Sequence, residues 1–202
     1  MKKLFVIILF LSPSLLYAQK FYGGLQGGLN ATQVEGDLSA GFNKAGIVAG
    51  GWVQIDLKPK LWSGMELKYT QKGSRMNPNP KTGELRKYVM RLGYVEMPVI
   101  IGYRAEGWLS VLAGLSYNRL VNSREFDNYG DLPPQETLPF KENTWDVLAG
   151  ARFNVRPKLQ VDIRYAVSLT SIRDLPGQSL VYIRDDQYSQ AITTTLFYQI
   201  DW

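Results

Sequence analysis

Seven ionisable side chains stand at alternating positions within otherwise apolar stretches, and they are the residues best placed for chemistry. They are Glu66, Lys68, Glu96, Asp146, Arg152, Asp162 and Arg164. Two carboxylates held close together could serve as a general acid and a general base. Because Asp146 and Asp162 are better explained as partners of Arg152 and Arg164, we instead expect a buried ionic cluster without catalytic residues.

The residue types that are missing narrow the chemistry further. The chain of 202 residues contains no His and no Cys. The first absence removes the usual general base and any Ser-His-Asp relay, and the second excludes disulfides and thiolate chemistry. Asp174, Asp185 and Asp186 could suggest calcium, but they lack the spacing of a calcium-binding loop. We therefore expect a protein that is not an enzyme and that holds no metal or cofactor.

Residues 1–18 have the layout of a secretory signal peptide. Two lysines follow Met1, the run from Leu4 to Leu11 is apolar, and cleavage is expected after Ala18. A transmembrane anchor is the alternative, but the apolar run is far shorter than the roughly 20 residues that a spanning helix needs. We expect residues 19–202 to form one exported domain, in which any membrane embedding must use strands.

Alternation of apolar and polar residues recurs along the exported part and predicts strands. The predicted strands lie at about 20–31, 44–57, 61–73, 88–104, 107–119, 143–155, 159–171 and 189–202. Tight connections alternate with long ones, which is typical of outer-membrane barrels. The predicted fold is all-β, an eight-stranded antiparallel up-and-down transmembrane β-barrel. A soluble barrel with its apolar face inside is the alternative.

The charged residues indicate which face meets lipid. A Lys or Arg on the lipid face at the midplane would cost roughly 2–4 kcal/mol, so we expect the ionic cluster to lie in the lumen. Aromatic residues of the apolar face cluster near strand ends, as in interfacial girdles. They are Phe21, Tyr69, Tyr103, Tyr117, Trp145, Phe153, Tyr165, Tyr198 and Trp202.

Three features depart from this alternation. Trp52 and Trp62 fall on the polar face, where they would fill the lumen or sit at a rim. Glycines are expected to make room for these rings, namely those at 24, 28, 46, 50, 64, 114 and 150. Pro98 lies inside a predicted strand, and because it cannot donate to the ladder it predicts a bulge or bend.

The long connections are the expected sites of specificity. The region around 74–87 is basic, with Lys72, Arg75, Lys81, Arg86 and Lys87. Clustered cations bind phosphates well, so we expect contact with lipopolysaccharide; a loop that is charged only for solubility is the alternative. Loops 120–142 and 172–188 are expected to contact envelope or secretion-system proteins. There is no basic stripe with interleaved aromatics, so no nucleic-acid role is expected.

Several segments resemble the PorT-like outer-membrane β-barrel proteins of Bacteroidota, often labelled porin-family proteins. The matching segments are Phe21 to Asn30, Leu67 to Gly73, Tyr94 to Val99, Ala113 to Leu115 and the final Trp202. The resemblance implies an eight-stranded barrel in the outer membrane of a Gram-negative bacterium. Its founding member is tied to type IX protein secretion, which by analogy implies an accessory secretion role.

We therefore expect a small outer-membrane barrel whose lumen is filled by side chains. Its expected role is structural or recognition work in the cell envelope, carried out through its extracellular loops. An accessory part of a secretion system and a narrow passive pore are the alternatives. Eight strands leave a lumen that side chains fill, so we expect little steady conductance.

Overall fold

The computed structural model describes residues 20–37, 41–78, 87–133, 137–174 and 186–201. The strands are β1 (Phe21–Glu35), β2 (Lys44–Lys58), β3 (Leu61–Met76), β4 (Tyr88–Arg104), β5 (Leu109–Phe126), β6 (Asn143–Arg156), β7 (Leu159–Ser168) and β8 (Tyr188–Ile200). They pair antiparallel in chain order, and β1 closes on β8. The predicted fold class is confirmed. The predicted signal peptide and Trp202 lie outside the described residues.

The strands are strongly tilted around the closed cylinder. When the pairing is traced from strand to strand around the barrel, starting at Gly23 on β1, it comes back to β1 at Gln33 and not at Gly23. Tilt and stagger of this kind accompany closure, and eight strands leave an interior just wide enough for side chains. Closure also pairs both sheet edges, which hydrocarbon requires because it offers no hydrogen bonds to the backbone.

The two faces differ as predicted. On β3, Leu67 faces outwards and is 57% exposed, whereas its neighbour Glu66 faces the lumen and is 3% exposed. Large apolar side chains such as Ile47 and Ile163 likewise cover the outer wall. The apolar face therefore points outwards, opposite to what a soluble barrel needs. In the described part of the chain, no helix is long and apolar enough to cross a membrane.

Three strands are longer at the loop end than the sequence pattern predicted. β1 reaches Glu35, β3 reaches Met76 and β5 reaches Phe126. The alternation of apolar and polar residues fades there, but the backbone ladder continues, as in the pair of Arg75 with Val89. Two strands are also shorter at one end than predicted, since β5 begins at Leu109 and β7 ends at Ser168.

The bulge predicted at Pro98 is absent. The β3–β4 register is the same on either side of this residue, since Met65 pairs with Val99 and Lys68 with Glu96. The register shifts instead between Gly93 and Tyr94, where β5 carries one extra residue, Val121. Pro98 is therefore accommodated without inserting a residue into either strand.

Both tryptophans of the polar face fill the lumen. Trp52 and Trp62 are almost wholly buried. The glycine that makes room for Trp62 is chiefly Gly102, its partner on β4, where a methyl group would overlap the indole ring. Gly64 was predicted and also contacts this ring, but the other predicted glycines are crowded mainly by the backbone of a neighbouring strand. For those glycines the nearest constraint is the close approach of a neighbouring strand.

Candidate functional site

Glu66 is the centre of an ionic network in the lumen. Its carboxylate accepts two hydrogen bonds from the Arg164 guanidinium, at 2.7 and 3.0 Å, and lies 3.7 Å from Arg152. Asp162 accepts a hydrogen bond of 2.9 Å from Arg152 and further ones from Arg164. Strands β3, β6 and β7 supply these groups, so the network ties together distant parts of the wall.

A second group of charges continues the network towards the loop end. The Lys72 ammonium lies 2.5 Å from Glu96 and 2.6 Å from Asp146. Lys68 joins the two groups, since it lies 3.5 Å from both Glu66 and Glu96. All seven residues expected in the ionic cluster are therefore brought together in the lumen.

Lys72 corrects the sequence interpretation. The sequence pattern groups Lys72 with the basic region around 74–87, but its side chain is 4% exposed and lies in the lumen. Lys72 lies within β3 and keeps the inward parity of Glu66 and Lys68. With Lys72 included, the lumenal network contains four acids and four bases, and their formal charges cancel.

Aromatic rings enclose the arginines. The Arg152 guanidinium lies 4.8 Å from the Trp62 ring and 4.1 Å from the Phe197 ring. Trp52 packs against Phe197, with ring centroids 5.7 Å apart. The space left among these groups does not admit a water molecule. Each carboxylate of the network faces a cation, so these side chains pair with one another inside the lumen.

An apolar cluster closes the barrel at the loop end. Val34 on β1 and Met90, Leu92 and Tyr94 on β4 point inwards, and each is at most 2% exposed. Ile172, from the connection between β7 and β8, inserts among them. The connection is thereby anchored in the barrel mouth.

A second set of contacts holds Ile172 in place. Arg173 forms two hydrogen bonds with Glu125, at 2.9 and 2.5 Å, and its guanidinium stacks 3.7 Å from the Phe140 ring. The Tyr88 hydroxyl also donates to Glu125. We call the group of Tyr88, Glu125, Phe140, Ile172 and Arg173 the mouth latch.

Asp174 extends this contact between loops. The Lys141 ammonium lies 2.6 Å from its carboxylate, and a hydrogen bond from Lys141 lowers the pKa of Asp174, as does one from Ser171. Within the described residues no three acidic side chains are grouped as a metal site would require. Asp185 lies outside the described residues.

A basic groove runs along the outer wall of β3, β4 and β5 at the loop end, with a volume of about 750 Å³. Its cations are Lys44, Arg75, Lys87, Arg91 and Arg124. Arg75 and Lys87 belong to the predicted lipopolysaccharide contact, whereas Lys81 and Arg86 lie outside the described residues. The sequence interpretation missed the other three cations. Arg91 lies within the predicted β4 at an outward position, but Arg124 lies beyond the predicted end of β5, where a register shift of one residue turns it outwards.

Comparisons with known proteins agree with this architecture. The crystal structure of neisserial surface protein A is 14% identical, covering 91% of this chain and 99% of its own, with a TM-score of 0.54. The attachment invasion locus protein Ail of Yersinia pestis is 11% identical, covering 90% of this chain and 99% of its own, with a TM-score of 0.52. At these identities the likeness shows the fold alone.

The sequence comparison identifies the family. No curated protein matches the sequence. Residues 17–174 match the family model described as outer membrane protein beta-barrel domain. Together with the closed barrel and its apolar outer wall, this match places the protein in the outer membrane of a Gram-negative bacterium. The chain belongs to the outer membrane protein β-barrel domain family.

Proposed function

We propose that this protein is a sealed barrel that serves as a structural or recognition component of the cell envelope. The observation that carries the proposal is the filled lumen. Aromatic rings, a neutral ionic network and the apolar cluster around Ile172 occupy it in succession from the turn end to the loop end. This packing disfavours both transport through the lumen and catalysis within it. We therefore infer that the protein contacts its partners through the exposed loop end.

The described part of the loop end supports this role because its connections are held to one another by side-chain and backbone contacts. The mouth latch joins two long connections, and the Lys141 amide also donates to the Ile172 carbonyl at 2.8 Å. Beyond β5, a turn held by a hydrogen bond from the Asp127 amide to the Gly130 carbonyl displays Tyr129, which is 97% exposed. A large aromatic side chain presented in this way is typical of a contact residue.

Photo-crosslinking in intact cells tests the recognition role. A photoreactive amino acid at Tyr129 is expected to give discrete adducts with envelope components. The same amino acid at Glu106, which is exposed in the short turn between β4 and β5, is the matched control at the opposite end. Identical adducts from both positions, or none from Tyr129, would count against recognition through the loops.

An accessory role in secretion is the second candidate. The resemblance to PorT-like proteins of Bacteroidota supports it, together with loops 120–142 and 172–188 as the contact surface. Secretion-system proteins among the Tyr129 adducts would favour this role. A narrow passive pore is less well supported, because the lumen is packed. We also propose that residues 1–18 direct export and are then removed.

A further inference from the structure

The cations of the basic groove repel one another within the protein. Arg91 and Arg124 stand directly opposite each other on β4 and β5, both on the outer face. Like charges in directly opposed positions destabilise a sheet. Arg91 stacks 4.8 Å from the Phe126 ring, and neither arginine forms an ion pair with a carboxylate of the described residues.

The one acid in the groove wall is already engaged. The Asp127 carboxylate accepts hydrogen bonds from the amides of Tyr129, at 2.7 Å, and Gly130, at 3.1 Å, and so shapes the turn that borders the groove. The remaining lining residues of the groove supply no other carboxylate. The groove therefore presents an excess of positive charge that an anion from outside could neutralise.

The position of the groove selects the kind of anion. Tyr69 lines the groove and belongs to the aromatic residues at the loop-side end of the outer wall. Arg75 lies further along β3 on the same outward parity, towards the loops. Aromatic girdles mark the boundary between hydrocarbon and headgroups. The cations therefore stand just beyond the acyl chains, at the height of outer-leaflet phosphates.

We propose that the basic groove binds the phosphate groups of lipopolysaccharide, with Arg91 and Arg124 as the principal contacts. Arginine matches phosphate because its planar donors can form two parallel hydrogen bonds with it. The rings of Tyr69 and Phe126 border the site where a lipid-linked sugar would lie. This inference deepens the proposed function by assigning the barrel a lipid partner on its wall, separate from any partner of its loops.

Native mass spectrometry of the purified full-length barrel tests the proposal. The probes are bisphosphorylated lipid A, dephosphorylated lipid A and inorganic pyrophosphate. The variant R91Q/R124Q removes the opposed arginines and should fold, because it relieves their repulsion. R119Q is the matched control, since Arg119 lies on β5 but outside the groove and is paired with Glu142.

We expect wild type and R119Q to bind bisphosphorylated lipid A about tenfold more tightly than R91Q/R124Q does. Dephosphorylated lipid A should bind all three proteins weakly and equally. Equal binding of both lipids, or unchanged binding by R91Q/R124Q, would overturn the proposal. Pyrophosphate binding as tight as that of lipid A would overturn the assignment to a lipid. Failure of the expected lipid A binding would contradict only this inference and would leave the proposed function standing. Lipid A binding without crosslinked adducts of the loops would contradict only the proposed recognition role.

Discussion

Glu66 is the residue on which most contacts of the lumenal network converge. It holds Arg164 through two hydrogen bonds and lies near Arg152 and Lys68. In Glu66→Gln the shape is kept, but the buried arginines lose a negative charge. Leaving buried charges without a partner is strongly destabilising. We expect the free energy of unfolding to fall by about 3–5 kcal/mol, measured from tryptophan fluorescence during urea unfolding in lipid vesicles.

Asp56→Asn is the matched control for this change. Asp56 pairs with Arg104 at the turn end, at 2.5 Å, but both side chains are more than a quarter exposed. Ion pairs near solvent contribute little, so the loss should stay below about 1 kcal/mol. Equal losses in the two variants would show that the lumenal network is not specially dependent on Glu66.

Gly102 makes a separate contribution to stability, because its lack of a side chain leaves room for the Trp62 ring in the lumen. In Gly102→Ala the new methyl group would overlap the indole, and the closed wall leaves the ring little room to move. Overpacking of this kind is expected to destabilise the barrel by about 1–3 kcal/mol, seen as a lower temperature of unfolding on heat-treated gels. Gly107→Ala is the control, since nothing lies near that position. A Gly102→Ala barrel as stable as wild type would contradict this packing.

The strands are the elements that the sequence predicts best. Alternation identified all eight, because an outer wall in lipid and a charged lumen force apolar and polar residues onto opposite faces. The larger errors fall at the loop ends of strands. The predicted β3 ends at Gly73, but pairing continues beyond this residue, whose φ of 133° is rare for residues other than glycine. Lys72 falls inside the predicted strand but is grouped with the basic region that follows it, although its parity with Glu66 places it in the lumen.

The connection between β7 and β8 depends on the mouth latch. In Glu125→Gln, Arg173 loses its charged partner, and the backbone hydrogen bond from the Ile172 amide to the Gln187 carbonyl should open more often. We expect the Ile172 amide to exchange with deuterium about tenfold faster, measured by hydrogen-exchange mass spectrometry.

Glu142→Gln is the control for the mouth latch. It breaks the exposed ion pair with Arg119 at the same end of the barrel, but Glu142 does not contact Arg173. Exchange at Ile172 should remain as in wild type. If both variants left this amide equally protected, the connection would be held by the apolar contacts of Ile172 alone.

The groove and the closed lumen are properties of the whole molecule. The basic groove combines residues of several strands, and only their register places Arg91 opposite Arg124. A sequence pattern read one segment at a time cannot supply that register, so three cations of the groove were missed. The sealed lumen was easier to predict, because strand number alone limits the interior of a small barrel.

We propose above all that no continuous aqueous path crosses the barrel. Recordings of the purified wild-type protein in planar lipid bilayers test it most directly, with insertion checked by tryptophan fluorescence in vesicles of the same lipids. Because side chains and the Ile172 cluster fill the lumen, we predict no steady conductance above that of the protein-free bilayer. Stable open channels of reproducible conductance would contradict the claim.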